Sequence, residues 1–211
     1  MRKLAYVTEN DKIITTPILI LKKAQEVIPG GKAYITSWLQ NASVEELNEN
    51  RFYEYVVDNQ PEPTIFHNIV TITELVNNQV ITSHTSVSKG IEEIRKILIS
   101  KLADKRYNVQ TSGITVNDLH IKSDSESIAL ITGAFNRVQR HPDEVVQFKT
   151  NSGVFVAMDK AAIEGIFDLV SDHIDACFKK EQQIAASINS ATTIEELEAI
   201  YEDINTEWPG A

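Results

Sequence analysis

A chain of 211 residues with 42% hydrophobic and 24% charged residues carries enough apolar material for one large or two small cores without covalent staples. Its single cysteine, Cys177, rules out an intramolecular disulfide and any multi-cysteine zinc site, and a formal net charge of −10 argues against a phosphate-tracking surface, which needs clustered Lys and Arg. Neither nucleic acid nor a membrane is expected as a partner: the longest apolar stretch, Pro17 to Leu21, is far short of the roughly 20 residues that cross a bilayer, and Thr8-Glu9-Asn10-Asp11-Lys12 interrupts any secretion-signal core.

In chain order, Leu4 to Val7 and Ile13 to Leu21 read as strands joined by the polar turn Glu9-Asn10-Asp11. Pro29-Gly30-Gly31 is the next break. Ser43-Val44-Glu45-Glu46 is a capping box, so a short helix begins there and ends near Asn50. Phe52 to Val57 is a strand, Pro61-Glu62-Pro63 a rigid turn, and Thr64 to Leu75 and Gln79 to Thr85 form a hairpin across Asn77-Asn78. The period changes at Ser88, expected as a helix cap. Ile91, Ile94, Leu98 and Leu102 then fall on one helical face, which Ile97 and Ile99 widen. That face has two readings, a lid over hairpins within the chain or a seam between chains.

Two more hairpins are expected, Ile114 to Val116 with Leu119 to Ile121 across Asn117-Asp118, and Val145 to Phe148 with Val154 to Val156 around Asn151-Ser152-Gly153. Between them a helix capped by Ser123 or Asp124 runs from about Ser125 to Arg140 and is closed by His141-Pro142. A longer helix opens at Asp159 and runs to about Ser190, and a last one, begun by the capping box Thr193-Ile194-Glu195-Glu196, reaches about Ile204. This order predicts an α+β fold with antiparallel pairing. It divides into a β-rich N-terminal docking module, residues 1–86, and an α+β domain, residues 87–211.

Few residues suggest chemistry. Gly30-Gly31-Lys32 lacks the spacing and the Ser or Thr of a phosphate loop, since Ala33 follows, and reads as a turn. His173 and Cys177 share a helical face and are a potential metal pair completed by His120 or His141, but the neighbouring Val170, Ile174, Ala176 and Phe178 favour a core cysteine with His173 at its edge. Asp124, Glu126 and the adjacent serines are explained by helix capping, and Glu45-Glu46, Glu92-Glu93 and Glu195-Glu196 by solvated first turns. No nucleophile elbow, zinc-protease motif or dinucleotide fingerprint occurs, so no catalytic, cofactor or metal residue is assigned and the chain is expected not to be an enzyme.

One set of residues places the chain better than these motifs do: Arg106-Tyr107, Gly113-Ile114-Thr115-Val116-Asn117, Ile121-Lys122-Ser123-Asp124 with Ser127, Val145-Val146-Gln147-Phe148-Lys149, and Gly153. From about Ile91 to about Ile204 the chain resembles a domain-of-unknown-function family found mainly in tail, and especially tail-fibre-associated, proteins of tailed bacteriophages. It departs at Phe148, where Trp is more usual, and at Asp118, where Gly is common, and both changes keep the physical role. The resemblance implies a structural part of a virion tail, at the baseplate or fibre root, made in a bacterial host cytoplasm and bound to other tail proteins. A homo-oligomer is the matching expectation, since such parts sit on symmetric structures. The competing expectation is a tail-fibre assembly chaperone absent from the finished particle.

Overall fold

A computed structural model describes residues 3–15, 41–116, 119–149, 153–206 and 208–209. The Pro17–Leu21 stretch, the Gly30-Gly31-Lys32 break and the turn residues Asn117, Asp118, Asn151 and Ser152 lie outside them. The fold is α+β, and the chain divides into two compact units, residues 1–88 and 89–211.

Among the described residues the first unit forms a five-stranded sheet. Its strands are β1 (Leu4–Val7), β2 (Ile13–Ile14), β3 (Phe52–Val57), β4 (His67–Val76) and β5 (Gln79–Ser88), in the order β2-β1-β3-β5-β4. All neighbours are antiparallel except β3 and β5, which run parallel from Glu54↔Gln79 to Val57↔Thr82. Alternation along the strands divides the apolar residues between two faces. Leu4, Tyr6 and Phe52 are buried on one face with Leu47 of the helix α1 (Val44–Glu49), and the Tyr6 and Phe52 rings meet at 5.2 Å between centroids. Ala5, Val7 and Val80 are buried on the other.

The capping box of α1 forms as expected, the Ser43 hydroxyl accepting from the Glu46 N–H while the Glu46 carboxylate accepts from the Ser43 N–H. Asn77 and Asn78 both take positive φ, 50° and 62°, which suits a two-residue hairpin turn. The strand expected from Thr64 begins only at His67, because the Thr64 hydroxyl accepts from the N–H groups of Phe66 and His67 and holds a turn there. β5 runs on to Ser88, paired with His67. Beyond Thr82, β4 and β5 continue without β3 as a two-stranded ribbon, with Val70, Ile72 and Val87 exposed.

The second unit is built around α4 (Lys160–Ser190), 31 residues and therefore about 46 Å long at 1.5 Å per residue. Its buried side chains, Ile163, Ile166, Val170, His173, Cys177, Ile184 and Ile188, recur at steps of three, four or, from Cys177 to Ile184, seven residues, which keeps them on one face. Against it lie α2 (Ile91–Ser112), α3 (Ser125–Arg140) and α5 (Ile194–Asn205). Ser88 does not cap α2: it is still in extended strand, and Gly90 takes the N-cap position with no side-chain hydrogen bond. Ile94, Leu98 and Leu102 are buried as expected, whereas Ile99 is exposed and does not widen the stripe. The stripe packs on α4 and α5 instead of lying over the hairpins. Arg106 joins α2 to α4, with Nε 3.1 Å from Glu181 Oε2 and its guanidinium 4.7 Å above the Phe178 ring. Phe178 is therefore half exposed, under a cation, and not part of the apolar surroundings expected for Cys177.

Two hairpins complete the unit, β6 (Ile114–Val116) with β7 (Leu119–Ile121) and β8 (Val146–Lys149) with β9 (Phe155–Met158). Their inner residues join one core with α3 and α4 that includes Ile121, Ile131, Val138, Met158 and Ile163. Phe135 of α3 stacks on Phe167 of α4, 4.3 Å between centroids.

Candidate functional site

The C-terminal end of α2 fixes where β7 runs. Gly113 has φ +93°, and a Cβ built there would stand 2.2 Å from the Ile121 carbonyl oxygen, so only glycine permits this approach. One step on, the fully buried Ser123 donates its hydroxyl hydrogen to the Gln110 carbonyl, one of the helix-end acceptors left without an intrahelical partner. Asp124 then caps α3, accepting from the Ser127 N–H at 2.9 Å. The hydrogen bonds from Ser127, first its backbone N–H and then its hydroxyl, hold the Asp124 carboxyl below the usual carboxylate range. Ser127 and Asp124 are thus committed to the start of α3, and Ser123 to the end of α2. Of the two candidate caps, the side chain of Asp124 serves α3 and that of Ser123 serves α2.

With β7 and α3 set in this way, a groove of about 510 Å³ opens between β7, α3 and β8. That volume lies within the roughly 300–1,000 Å³ typical of binding pockets. His120 and Ile121 of β7, with Lys122 just past its end, line it on one side, and Val146, Gln147, Phe148 and Lys149 of β8 on the other. A strand that bounds a cavity with one face contributes alternate residues, whereas one that bounds it with an edge contributes consecutive ones. Here both runs are consecutive. Among the described residues β7 pairs only with β6, and β8 only with β9, so each groove-side edge carries backbone N–H and C=O groups without a ladder partner.

The wall between them is α3, with Leu130, Gly133, Ala134 and Arg137. Leu130 is 65% exposed. Gly133 sits inside a helix, where it is about 1 kcal/mol less favourable than alanine, yet a Cβ there would meet nothing within 4 Å, so no packing contact requires the absence of a side chain.

Charge is segregated as well. Lys122, Lys149, Arg137 and His120 line the groove and none of its described lining residues is acidic, in a chain with 30 Asp and Glu against 20 Lys and Arg. Arg137 is held by Glu144, its Nε 2.8 Å from Glu144 Oε2 with a second contact from Nη2 to Oε1. That pairing lowers the Glu144 carboxyl and raises the guanidinium. Arg137 also borders a neighbouring cleft lined by Arg140, His141, Pro142, Asp143 and Glu144 at the end of α3.

His173 and Cys177 do come together, with Nε2 and Sγ 3.9 Å apart. His173 lies inside the helix packing, 5% exposed, rather than at its edge, and Nε2 is 3.2 Å from the Val109 carbonyl. Burial pushes the Cys177 thiol up, against a smaller opposite effect of Arg106, which disfavours the thiolate a metal ligand needs. His120 is at the groove and His141 at the end of α3. Among the described residues no group of three or more His, Cys, Asp or Glu is placed to hold a metal ion.

The groove itself was not anticipated from the sequence. Its signals there are faint: an apolar Leu130 off the buried stripe of α3, a glycine in mid-helix, and basic residues flanking two short strands.

Residues 93–205, more than half of the chain, match the model of a family described as Domain of unknown function (DUF4376). The chain belongs to that family. The matched region begins within α2 and ends with α5, so it takes in both hairpins and the groove. No curated protein and no solved structure matches the chain. The family description carries no function.

Proposed function

We propose that the protein is a non-enzymatic structural component of a bacteriophage tail, at the baseplate or the root of a tail fibre, where it attaches one tail protein to another. The observation that carries this reading is a coincidence of place. Of the residues on which the resemblance to tail-associated proteins rests, Ile121, Lys122, Ser127, Val146, Gln147, Phe148 and Lys149 all line the groove between the hairpins. Its make-up suits binding: two strand edges, an apolar interior and a basic rim are features that hold a polypeptide. The exposed ribbon of β4 and β5 in the first unit supports a docking role for residues 1–88, since a long strand edge with Val70 and Ile72 exposed is a ready pairing surface. Homo-oligomerisation belongs to the same proposal, because tail parts occupy symmetric positions.

The test is the composition of purified virions. Mass spectrometry should find the chain in washed particles at a fixed ratio to the other tail proteins, and deleting its gene should leave particles that lack whatever it attaches. A chain abundant in infected cells and absent from particles overturns the structural role in favour of a tail-fibre assembly chaperone.

A further inference from the structure

We propose that the groove between β7 and β8 receives an extended, acidic segment of a partner protein, added as a strand along the exposed edge of β8. This inference rests on the attachment reading above and specifies what that site takes. The backbone argument comes first: three consecutive residues of β7 and its end, and four of β8, turn an edge toward the same space, and unpaired ladder groups are satisfied by another strand. At about 3.3 Å per residue, four residues of β8 accommodate a paired stretch of roughly 13 Å.

The side chains then fix the kind of segment. Ile121, Val146 and Phe148 turn inward beside Leu130 and Ala134, while His120, Lys122 and Lys149 stand exposed at the rim. An added strand sends successive side chains to opposite sides. The segment that fits therefore alternates apolar residues, directed into the groove, with aspartate or glutamate directed at the rim, and has no proline in its centre. Against the groove's cations stand Asp124, which acts on Lys122, and Glu144, tied to Arg137, so the site keeps a small excess of positive charge. Gly133 gives independent support: the missing side chain leaves open space on the α3 wall, where any larger residue would project.

The full chain panned against a random dodecapeptide library tests this. Selected peptides should alternate Asp or Glu with Val, Ile or Leu. Their affinity should fall at least tenfold with Gly133→Leu, which fills the groove at an exposed helical position without disturbing the core, and also with Lys122→Glu. Methylating alternate backbone nitrogens of a selected peptide should abolish binding in one phase and spare it in the other, a signature that side-chain binding alone does not produce. A library that yields no binder, binders indifferent to Gly133→Leu, or equal sensitivity to both methylation phases overturns the proposal. Indifference to Gly133→Leu would also place the binding elsewhere, for instance on β4. Virion composition is read separately: a chain missing from particles that still selects such peptides removes the tail role and leaves the groove, and the converse result removes only the groove.

Discussion

Two glycines of the second unit have the same sign of φ and opposite surroundings, which makes them a matched pair. Gly113 and Gly153 have φ +93° and +82°. An alanine at Gly153 meets nothing within 4 Å, so the expected loss is the backbone strain alone, about 1 to 2 kcal/mol. At Gly113 the strain is greater, because φ +93° with ψ −172° lies in a region entered almost only by glycine. The new Cβ would also stand 2.2 Å from the Ile121 oxygen and 2.9 Å from Lys122 Cα, and those contacts must open beyond 3.0 Å. Both atoms are backbone, so β7 has to move. Adding roughly 1 to 3 kcal/mol for forced repacking gives an expected loss of about 3 to 5 kcal/mol for Gly113→Ala. Urea titration followed by Trp208 fluorescence, in a Trp38→Phe background, measures both variants, because Trp208 is buried in the second unit with Nε1 donating to the Ile204 carbonyl at 2.7 Å. A difference below about 1 kcal/mol between the two alanine variants would refute the close approach, and with it the way β7 is held beside the groove.

Residues 89–211 should fold alone with a cooperative thermal transition, since the core of the hairpins, α3 and α4 lies wholly within them; a gradual, non-cooperative loss of circular dichroism signal refutes this. Acid should destabilise that piece. The Thr192 and Thr193 N–H groups lower the Glu196 carboxyl, as Ser127 lowers Asp124, so their stabilisation is complete above the unfolded carboxylate values and is lost as pH falls through the folded ones. The melting temperature should therefore be level from these groups between about pH 6 and 8 and fall below about pH 4, and an Asp124→Asn, Glu196→Gln variant should show a shallower acid slope. EDTA or added zinc should leave the melting temperature unchanged, because a structural metal contributes directly to folding; a drop of several degrees in EDTA would restore His173 and Cys177 as ligands.

Local chemistry was legible in the sequence wherever the partners are close in the chain. Ser43 with Glu46, Thr193 with Glu196, and Asp124 with Ser127 form their caps as spaced, and Asn77-Asn78 makes its turn, because each involves atoms within four residues of one another. The spacing of Ile163, Ile166, Val170 and Cys177 likewise marks the buried face of α4 over its first half. The end of β5 at Ser88 and the half-exposed Phe178 were decided by what lies across from them, His67 in the first case and Arg106 of α2 in the second. The groove depends on tertiary structure altogether. Its two strand edges are about 25 residues apart in sequence, and nothing local in His120-Ile121-Lys122 or Val146 to Lys149 specifies that they border the same space. That follows from Gly113 against Ile121, Ser123 against Gln110 and the packing of both hairpins on α3 and α4: periodicity marks which face of an element is buried, but not which other element covers it or where an edge is left uncovered.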